Sequence, residues 1–393
     1  MFKELYKGYH LDKEMVIRAD PETKRINLKQ LLALFRSKDE GLWKEHAWQF
    51  DGETRFLDGE AIVGNKVAFS SWPRSGNSFL RKYFELLTGV ATGADNTLHT
   101  EVIMQMQGFK GEYIVDDTTW ICKTHSPWIM PEAPVFYANK MITIVRNPLD
   151  TFISWLNLVA QCNHAQKAPF DYELAYPNYW DWWIHDLTPL MKRWCKIIMD
   201  DAKMRRVPTL FIRFEDLVAD PETQLMNIMR FLLGQRDISG TNAERRVKEV
   251  IAKGHKATIS FDLKQGTTKF NSNATRYTEA QKKYIADELS EFNHFFGYAK
   301  SEDDPDNFTG FYEYEQPDPL HTKQYKAYEL HREQSIDWVA SLNDEELHQF
   351  FYMTSDPAKE VDIMDYSTSE KACRAILHYS QNLLYKRSLE HVD

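Results

Sequence analysis

The most informative residues of this chain lie between Val67 and Leu80, where the sequence reads VAFSSWPRSGNSFL. An apolar segment typical of a buried strand is followed by a tight loop containing Pro73, Ser75 and Gly76, and then by the first turn of a helix. Backbone N–H groups at a helix N-terminus attract anions, and the helix dipole strengthens the attraction. This order of elements predicts a loop that binds a phosphate or a chemically similar group.

The cation of this loop is Arg74, which stands two residues before the glycine. In a Walker loop a lysine follows the glycine directly, and the next hydroxyl residue holds a magnesium ion. The segment PRSGNS has a different order, and the strand before Arg146 lacks the terminal Asp of a Walker B motif. A nucleotide kinase of the Walker type is therefore a disfavoured alternative, and we predict no metal site.

Two further predicted strands end in side chains that suit group transfer. The segment WICKTHSP carries Lys123 and His125, and ITIVRNPLDTFISW carries Arg146 and, eight residues later, Ser154. Imidazole titrates near neutral pH and can accept the proton of a hydroxyl group. Lysine and arginine can offset the negative charge that develops on a leaving phosphate oxygen. A strand that ends in His or Arg is ordinary on its own, but three such segments in this order are hard to reach by chance.

The elements that position these residues follow from the apolar pattern. Short apolar segments predict strands over 67–71, 120–124, 141–145 and 209–214. Periodic segments predict helices over 78–87, 149–159, 180–199 and 221–233. Pro189 predicts a kink or break in the third helix, and Gly234 ends the fourth. Alternating strands and helices imply a parallel sheet whose ligand site lies at the carboxyl ends of the strands, where these side chains can converge.

Taken in order, the three segments resemble the signatures of sulfotransferases that use 3′-phosphoadenosine 5′-phosphosulfate (PAPS) as donor. The first family signature is similar to YPKSGTTW, and this chain has WPRSGNSF from Trp72 to Phe79. The family's Lys-Thr-His matches residues 123–125, and its 3′-phosphate signature matches Arg146 and Ser154. The resemblance covers about residues 64–300. It implies the family's P-loop-like α/β fold, a three-layer α/β/α arrangement with a central parallel sheet.

The resemblance also implies a role for each matched residue. His125 is the expected general base, and Arg74 and Lys123 are the expected catalytic cations. The residues expected to bind the donor are Arg74, Ser75, Gly76, Asn77, Ser78, Phe79, Arg146, Ser154, Phe214, Lys264, Gln265 and Gly266. PAPS is then the donor, 3′,5′-ADP (PAP) the product, and the hydroxyl or amine of a small molecule the acceptor.

Several donor-site residues depart from the family pattern. Arg74 replaces the family's Lys, and residues 77–79 are Asn, Ser and Phe in place of Thr, Thr and Trp. Phe214 stands where a family Tyr follows the fourth strand, and residues 264–266 provide one cation fewer than the family's Arg-Lys-Gly. These departures keep a second interpretation open: a sulfotransferase-like structural subunit of a larger assembly.

Composition sets the class of protein. The chain has 393 residues, 43% hydrophobic and 27% charged, which indicates a globular protein. A formal charge of −10, from 48 basic and 58 acidic residues, argues against nucleic acid as a partner. Four cysteines without a CxxC pair predict reduced thiols. We see no signal peptide and no transmembrane segment, and therefore expect a soluble cytoplasmic protein.

The extent of the family resemblance divides the chain into three parts. We predict an N-terminal extension over 1–60, with a helix near 28–35, and a sulfotransferase domain over 61–300. A C-terminal extension follows over 301–393, with helices near 320–342 and 367–384. The extensions either wrap the core or support a homodimer or larger assembly. The Tyr and Trp cluster at 176–183 is interpreted mainly as core, and Trp128 as the better acceptor contact.

Overall fold

The computed structural model describes residues 24–60, 65–95, 104–105, 108–125, 136–161, 171–203, 208–253, 273–299 and 325–326. Trp128, residues 264–266 and the helix predicted near 367–384 lie outside the described residues. So does the helix predicted near 320–342, apart from Tyr325–Lys326, where the prediction is wrong because these residues form a short strand.

The strands are β1 Val67–Ser71, β2 Gly93–Ala94, β3 Ile121–Thr124, β4 Tyr137–Ala138, β5 Lys140–Val145, β6 Thr209–Arg213 and β7 Tyr325–Lys326. Five of them form a parallel sheet in the order β2-β3-β1-β5-β6, and β4 pairs with β7 in antiparallel orientation. The four predicted strands are confirmed, with each end within one residue of the prediction.

The helices are α1 Leu28–Arg36, α2 Glu40–Glu45, α3 Asn77–Thr88, α4 Pro148–Gln161, α5 Tyr172–Ala175, α6 Pro177–Lys203, α7 Phe214–Ala219, α8 Pro221–Leu233, α9 Asn242–Lys253, α10 Glu279–Glu288 and α11 Ser290–Phe295. Short 3-10 turns cover Ala47–Phe50 and Ala274–Arg276. The ends of α8 follow local chemistry: the Asp220 side chain accepts the Thr223 N–H, and Gly234 ends the helix with φ 65°.

The sequence predicts that Pro189 kinks or breaks its helix. The predicted break is wrong, because Pro189 lies inside α6. The helix runs without interruption from Pro177 to Lys203. An internal proline costs about 3 kcal/mol in an isolated helix. Here the turns on both sides of Pro189 bury an apolar stripe, formed by Ile184, Leu187, Met191, Trp194, Cys195 and Ile198. Burial of several large side chains at about 2 kcal/mol each outweighs the lost hydrogen bond.

The sheet lies between two helical layers, as the three-layer prediction requires. Ile142 and Ile144 of β5 face one hydrophobic cluster, which also contains residues of α1, α3, α8 and α9. Phe211 of β6 faces the opposite cluster, which contains residues of α4, α6 and α11. Leu31 and Phe35 of α1 are fully buried in the first cluster, so this N-terminal segment is part of the core.

The sheet order explains where a ligand site can form. From β1 the chain moves to β2 and β3 on one side, and from β5 it moves to β6 on the other. Neighbouring strands β1 and β5 therefore flank the point at which the direction of the connections changes. Ligands of open α/β sheets bind at the carboxyl ends of the strands at this point.

The cluster of aromatic residues at 176–183 is divided between core and surface. Trp180 and Trp183 are buried, as the core interpretation predicts. Tyr176, Tyr179 and Trp182 are between 42% and 56% exposed. Cys122 and Cys195 are buried free thiols. None of the helices in the described part of the chain has the length and apolar character that crossing a bilayer requires.

Candidate active site

The candidate site begins at the loop that joins β1 to α3. The Ser75 N–H donates to the Trp72 carbonyl at 3.2 Å, which closes the turn. Arg74 has φ 71°, a left-handed conformation that costs a residue other than glycine about 1–2 kcal/mol. Gly76 is the N-cap of α3 and has no side chain with which to cap the helix. The first-turn N–H groups of α3 therefore face the loop without a side-chain cap, as an anion site requires.

Two side chains of the loop have buried polar atoms. The Ser75 hydroxyl oxygen and the Asn77 amide oxygen are buried and have no hydrogen-bond partner within the described part of the chain. Ser78 and Phe79, in the first turn of α3, are half-buried. Buried polar atoms in proteins are nearly always hydrogen-bonded, so the unpartnered Ser75 hydroxyl, which can donate to an anion, indicates a place for a polar ligand beside this loop.

Gly76 and Phe214 define the floor of the loop. A Cβ atom at Gly76 would lie 2.4 Å from Cδ2 of Phe214, and Gly76 has φ 97°. Both the contact and the conformation require glycine. The Phe214 ring also packs against Phe79, with 6.0 Å between ring centroids, and under the Arg146 guanidinium at 4.7 Å. Phe214 is 7% exposed, so most of its ring supports the loop.

Arg74, Arg146 and Ser154 meet at the carboxyl ends of β1 and β5. Arg74 Nε donates to the Ser154 hydroxyl at 3.1 Å, and Arg146 Nη1 donates to the Arg74 carbonyl at 3.1 Å. Burial, with a smaller contribution from the Arg146 charge, lowers the pKa of Arg74 to about 10. Burial also lowers the pKa of Arg146. The two guanidinium groups repel each other, so the positive potential here favours a bound anion.

Acidic residues that the sequence interpretation missed surround Arg146. Glu215 accepts the Asn147 N–H at 2.9 Å and the Tyr298 hydroxyl at 2.8 Å. Burial raises the pKa of Glu215, against the effects of these hydrogen bonds and of Arg146. The segment RFED could have indicated Glu215, because a carboxylate directly after a buried strand needs a partner.

The segment that follows residues 254–272 is anchored beside the same site. The backbone N–H and side-chain amide of Asn273 both donate to Asp150, at 3.0 and 2.7 Å. The Tyr277 hydroxyl donates to the Leu149 carbonyl at 2.7 Å. Asp150 and Leu149 lie in the first turn of α4, directly after Arg146. Asn273 and Tyr277 therefore lie beside the Arg146 end of the sheet.

His125 lies at the carboxyl end of β3, next to the last residue of β1. Its Nδ1 atom is 2.8 Å from the Ser71 carbonyl oxygen and 3.4 Å from the Ser71 hydroxyl oxygen. A carbonyl oxygen can only accept, so Nδ1 carries the proton. In the neutral ring, Nε2 is then the unprotonated nitrogen and the one that can take a proton.

Lys123 is located deeper in β3, within a cluster of charged residues. It is 5% exposed, and burial lowers its pKa to about 8, although the charges of Glu112 and Asp95 raise it and Arg81 lowers it further. Burial raises the pKa of Asp95. Arg81 and Glu112 are fully buried and form an ion pair at 2.7 Å. The sequence interpretation identified Lys123 but missed its three charged neighbours, which come from α3, the residue after β2 and the loop before β3.

The described residues include no group of three or more His, Cys, Asp or Glu side chains placed to hold a metal ion. The structure brings the loop, Arg146, Ser154, Phe214 and His125 to the carboxyl ends of the strands, whereas Lys123 pairs with Phe69 inside the sheet. Residues 264–266 lie outside the described residues.

Comparison with known proteins identifies the family of this chain. A family model described as "Sulfotransferase domain" matches residues 67–290, more than half of the chain. The chain is 25% identical over 196 residues to the WSCD family member CG9164 of Drosophila melanogaster, covering 50% of this chain and 59% of that protein. It is 27% identical over 188 residues to the WSCD family member AAEL009094 of Aedes aegypti, covering 46% and 53%. The match thus spans little more than half the length of these relatives.

Among solved structures, the chain resembles mouse sulfotransferase SULT7A1 complexed with PAP, at 15% identity and a TM-score of 0.35, over 64% of this chain and 88% of that one. It also resembles retinol dehydratase in a complex with retinol and PAP, at 14% identity and a TM-score of 0.37, over 59% and 82%. On the extent of the family match, this chain belongs to the sulfotransferase domain family.

Proposed function

We propose that this protein transfers a sulfuryl group from PAPS to the hydroxyl or amine of a small acceptor. The observation that carries the proposal is the convergence of three features at one edge of the sheet. These are the uncapped N-terminus of α3, the Arg74–Arg146 pair, and a histidine whose Nδ1 proton is fixed by the Ser71 carbonyl.

The residues present suit both phosphate groups of the donor. The loop, with the buried Ser75 hydroxyl, would hold the 5′-phosphosulfate at the N-terminus of α3. Arg146 and Ser154 would hold the 3′-phosphate, and Phe79 offers a half-buried ring for the adenine. Burial lowers the pKa of Arg146, but the carboxylates of Asp150 and Glu215 raise it against this effect and so favour its charged form.

The chemistry requires one base and a set of cations. As the acceptor oxygen forms a bond to sulfur, its proton passes to Nε2 of His125. The bond from sulfur to the 5′-phosphate oxygen breaks, and its electron pair stays on that oxygen. Arg74 and Lys123 are the cations proposed to offset this developing charge, and the remaining contribution is positioning.

Arg74 is expected to matter more for turnover than for donor affinity. Arg74→Ala should lower kcat by about 100-fold, with a smaller change in the Kd for PAPS, because the charge at the leaving oxygen develops only in the transition state. Arg74→Lys should keep substantial activity, because it restores a cation at this position. Transfer of ³⁵S from labelled PAPS to a panel of phenols, sugars and amines measures this. If Arg74→Ala keeps the wild-type kcat, Arg74 and its loop have no catalytic role.

The donor affinity should depend on pH through Lys123. Because burial lowers the pKa of Lys123 to about 8, the folded protein loses this positive charge between pH 7 and 9. The second ionisation of a phosphate group has a pKa near 6 and is largely complete at pH 7, so the donor's own charge changes little in this range. We expect PAPS affinity to fall about tenfold from pH 7 to 9, and Lys123→Met to abolish this dependence. Calorimetry at a series of pH values measures both; an equal dependence in Lys123→Met would contradict the assignment.

The alternative is a structural subunit that has kept the fold. It predicts a folded wild-type protein that binds no 3′,5′-ADP and transfers no label to any acceptor in the panel. Binding of 3′,5′-ADP with transfer of label would exclude it.

A further inference from the structure

Asn77 connects the start of α3 to the end of β1. It is the first residue of α3 and is 5% exposed. Its Nδ2 atom donates to the Ser71 hydroxyl oxygen at 2.9 Å. Ser71 is the last residue of β1 and is fully buried. The amide therefore fixes the position of the Ser71 side chain from the opposite side of the phosphate-binding loop.

The same serine holds His125 with both of its oxygen atoms. The carbonyl oxygen accepts the Nδ1 proton at 2.8 Å, and the hydroxyl oxygen lies 3.4 Å from the same nitrogen. The hydroxyl is thus a second, longer-range acceptor for the ring N–H. Its lone pairs can face the ring only if the hydroxyl is oriented, and the Asn77 amide is the donor that orients it.

An asparagine at position 77 buries one polar atom that a smaller residue would not bury. Its amide oxygen is buried without a hydrogen-bond partner in the described part of the chain. An unpartnered buried oxygen destabilises the folded state, and a smaller hydroxyl residue could occupy the first helical position with one polar group fewer. The contact that the amide does make is the one with Ser71, next to His125.

We propose that Asn77 is a positioning residue for His125, acting through the Ser71 hydroxyl rather than as a phosphate ligand. The assignment deepens the proposed function, because it rests on His125 as the base. When Nε2 takes the acceptor's proton, the ring becomes a cation whose Nδ1 proton stays between the two Ser71 oxygens. The Asn77–Ser71 contact keeps the second of these oxygens in place.

The test is the titration of the His125 ring in the ligand-free protein, followed by NMR of the histidine carbons. The chain has 13 histidines, and His125→Gln identifies the signal. Asn77→Asp should raise the titration midpoint by about one pH unit, because the carboxylate accepts the Ser71 hydroxyl proton and turns the oxygen toward the imidazolium. In the Ser71→Ala background the same change should raise it by less than about half as much.

Ser78→Asp is the matched control, because it places the same charge one residue further along α3. It should raise the midpoint by less than about a third as much as Asn77→Asp, since it has no hydrogen-bonded route through Ser71. A midpoint unchanged by Asn77→Asp, an equal rise in the Ser71→Ala background, or an equal rise in Ser78→Asp would each overturn the proposal.

Ser71 provides a second measurement should Asn77→Asp fail to fold. Ser71→Ala should lower the midpoint by about half a unit, because the imidazolium loses one acceptor, and Ser71→Thr should restore it. No change in Ser71→Ala would also overturn the proposal. These titrations need neither donor nor acceptor, so a failure of the Asn77 proposal can be told apart from a failure of the proposed function. Failure of the wild-type protein to bind 3′,5′-ADP would count against that function alone.

Discussion

His125→Ala should lower sulfuryl transfer by about 100-fold or more and leave the affinity for 3′,5′-ADP nearly unchanged. A positioned general base contributes roughly this factor, and the described residues proposed to bind the adenosine and its phosphates lie in the loop after β1, in α3, directly after β5, in α4 and at the start of α7. Transfer of ³⁵S from PAPS and calorimetry with 3′,5′-ADP measure the two quantities separately.

This experiment distinguishes a loss of 3′,5′-ADP affinity from a loss of the transfer step. Ser78→Ala is the matched contrast, because it removes a hydroxyl from the proposed phosphate loop and should weaken 3′,5′-ADP binding. Equal losses of binding and transfer in His125→Ala would show that the ring supports the loop and is not the base. Undiminished transfer would assign the proton to another group.

Glu112→Gln should reduce the free energy of unfolding by about 3–5 kcal/mol. It removes the negative partner of Arg81 from an ion pair in which both side chains are fully buried, and an uncompensated buried charge is strongly destabilising. Arg81 has further hydrogen bonds to Thr92, which fix the guanidinium in place after the substitution. Equilibrium unfolding in urea gives the change.

Asp287→Asn is the control for this prediction. It removes the acidic partner of the exposed pair Lys283–Asp287, whose side chains are 76% and 60% exposed, and should cost at most about 0.5 kcal/mol. A loss below about 1 kcal/mol in Glu112→Gln would mean that the Arg81 charge is accommodated in another way. Because Glu112 raises the pKa of Lys123, the variant should also shift the pH dependence of PAPS affinity to lower pH.

The strands that position the site could be predicted because each is a short apolar segment buried on both faces. Ile142 and Ile144 face one layer of helices, and Phe211 faces the other. β2 could not be predicted, because Gly93–Ala94 is too short to show a pattern. Gly93 is required there by its neighbours: a Cβ would lie 2.2 Å from the Ile114 carbonyl oxygen.

The side chains that tune the site could not be predicted because they are brought together by the fold. Arg81 and Glu112 are separated by 31 positions, and Asp150 and Asn273 by 123. Neither pair forms a motif. Pro189 is a strong local signal for a helix break. The buried apolar stripe of α6 stabilises the helix enough to keep it continuous.

The proposed function requires a 3′-phosphoadenosine group to bind at the carboxyl ends of β1 and β5. Calorimetry of the wild-type protein with 3′,5′-ADP, 5′-ADP and ATP, each with and without magnesium, tests it most directly. We predict that 3′,5′-ADP binds at least about tenfold more tightly than 5′-ADP, because Arg146 and Ser154 are proposed to contact the 3′-phosphate, and that magnesium has no effect. Tighter binding of magnesium–ATP than of 3′,5′-ADP would contradict the account.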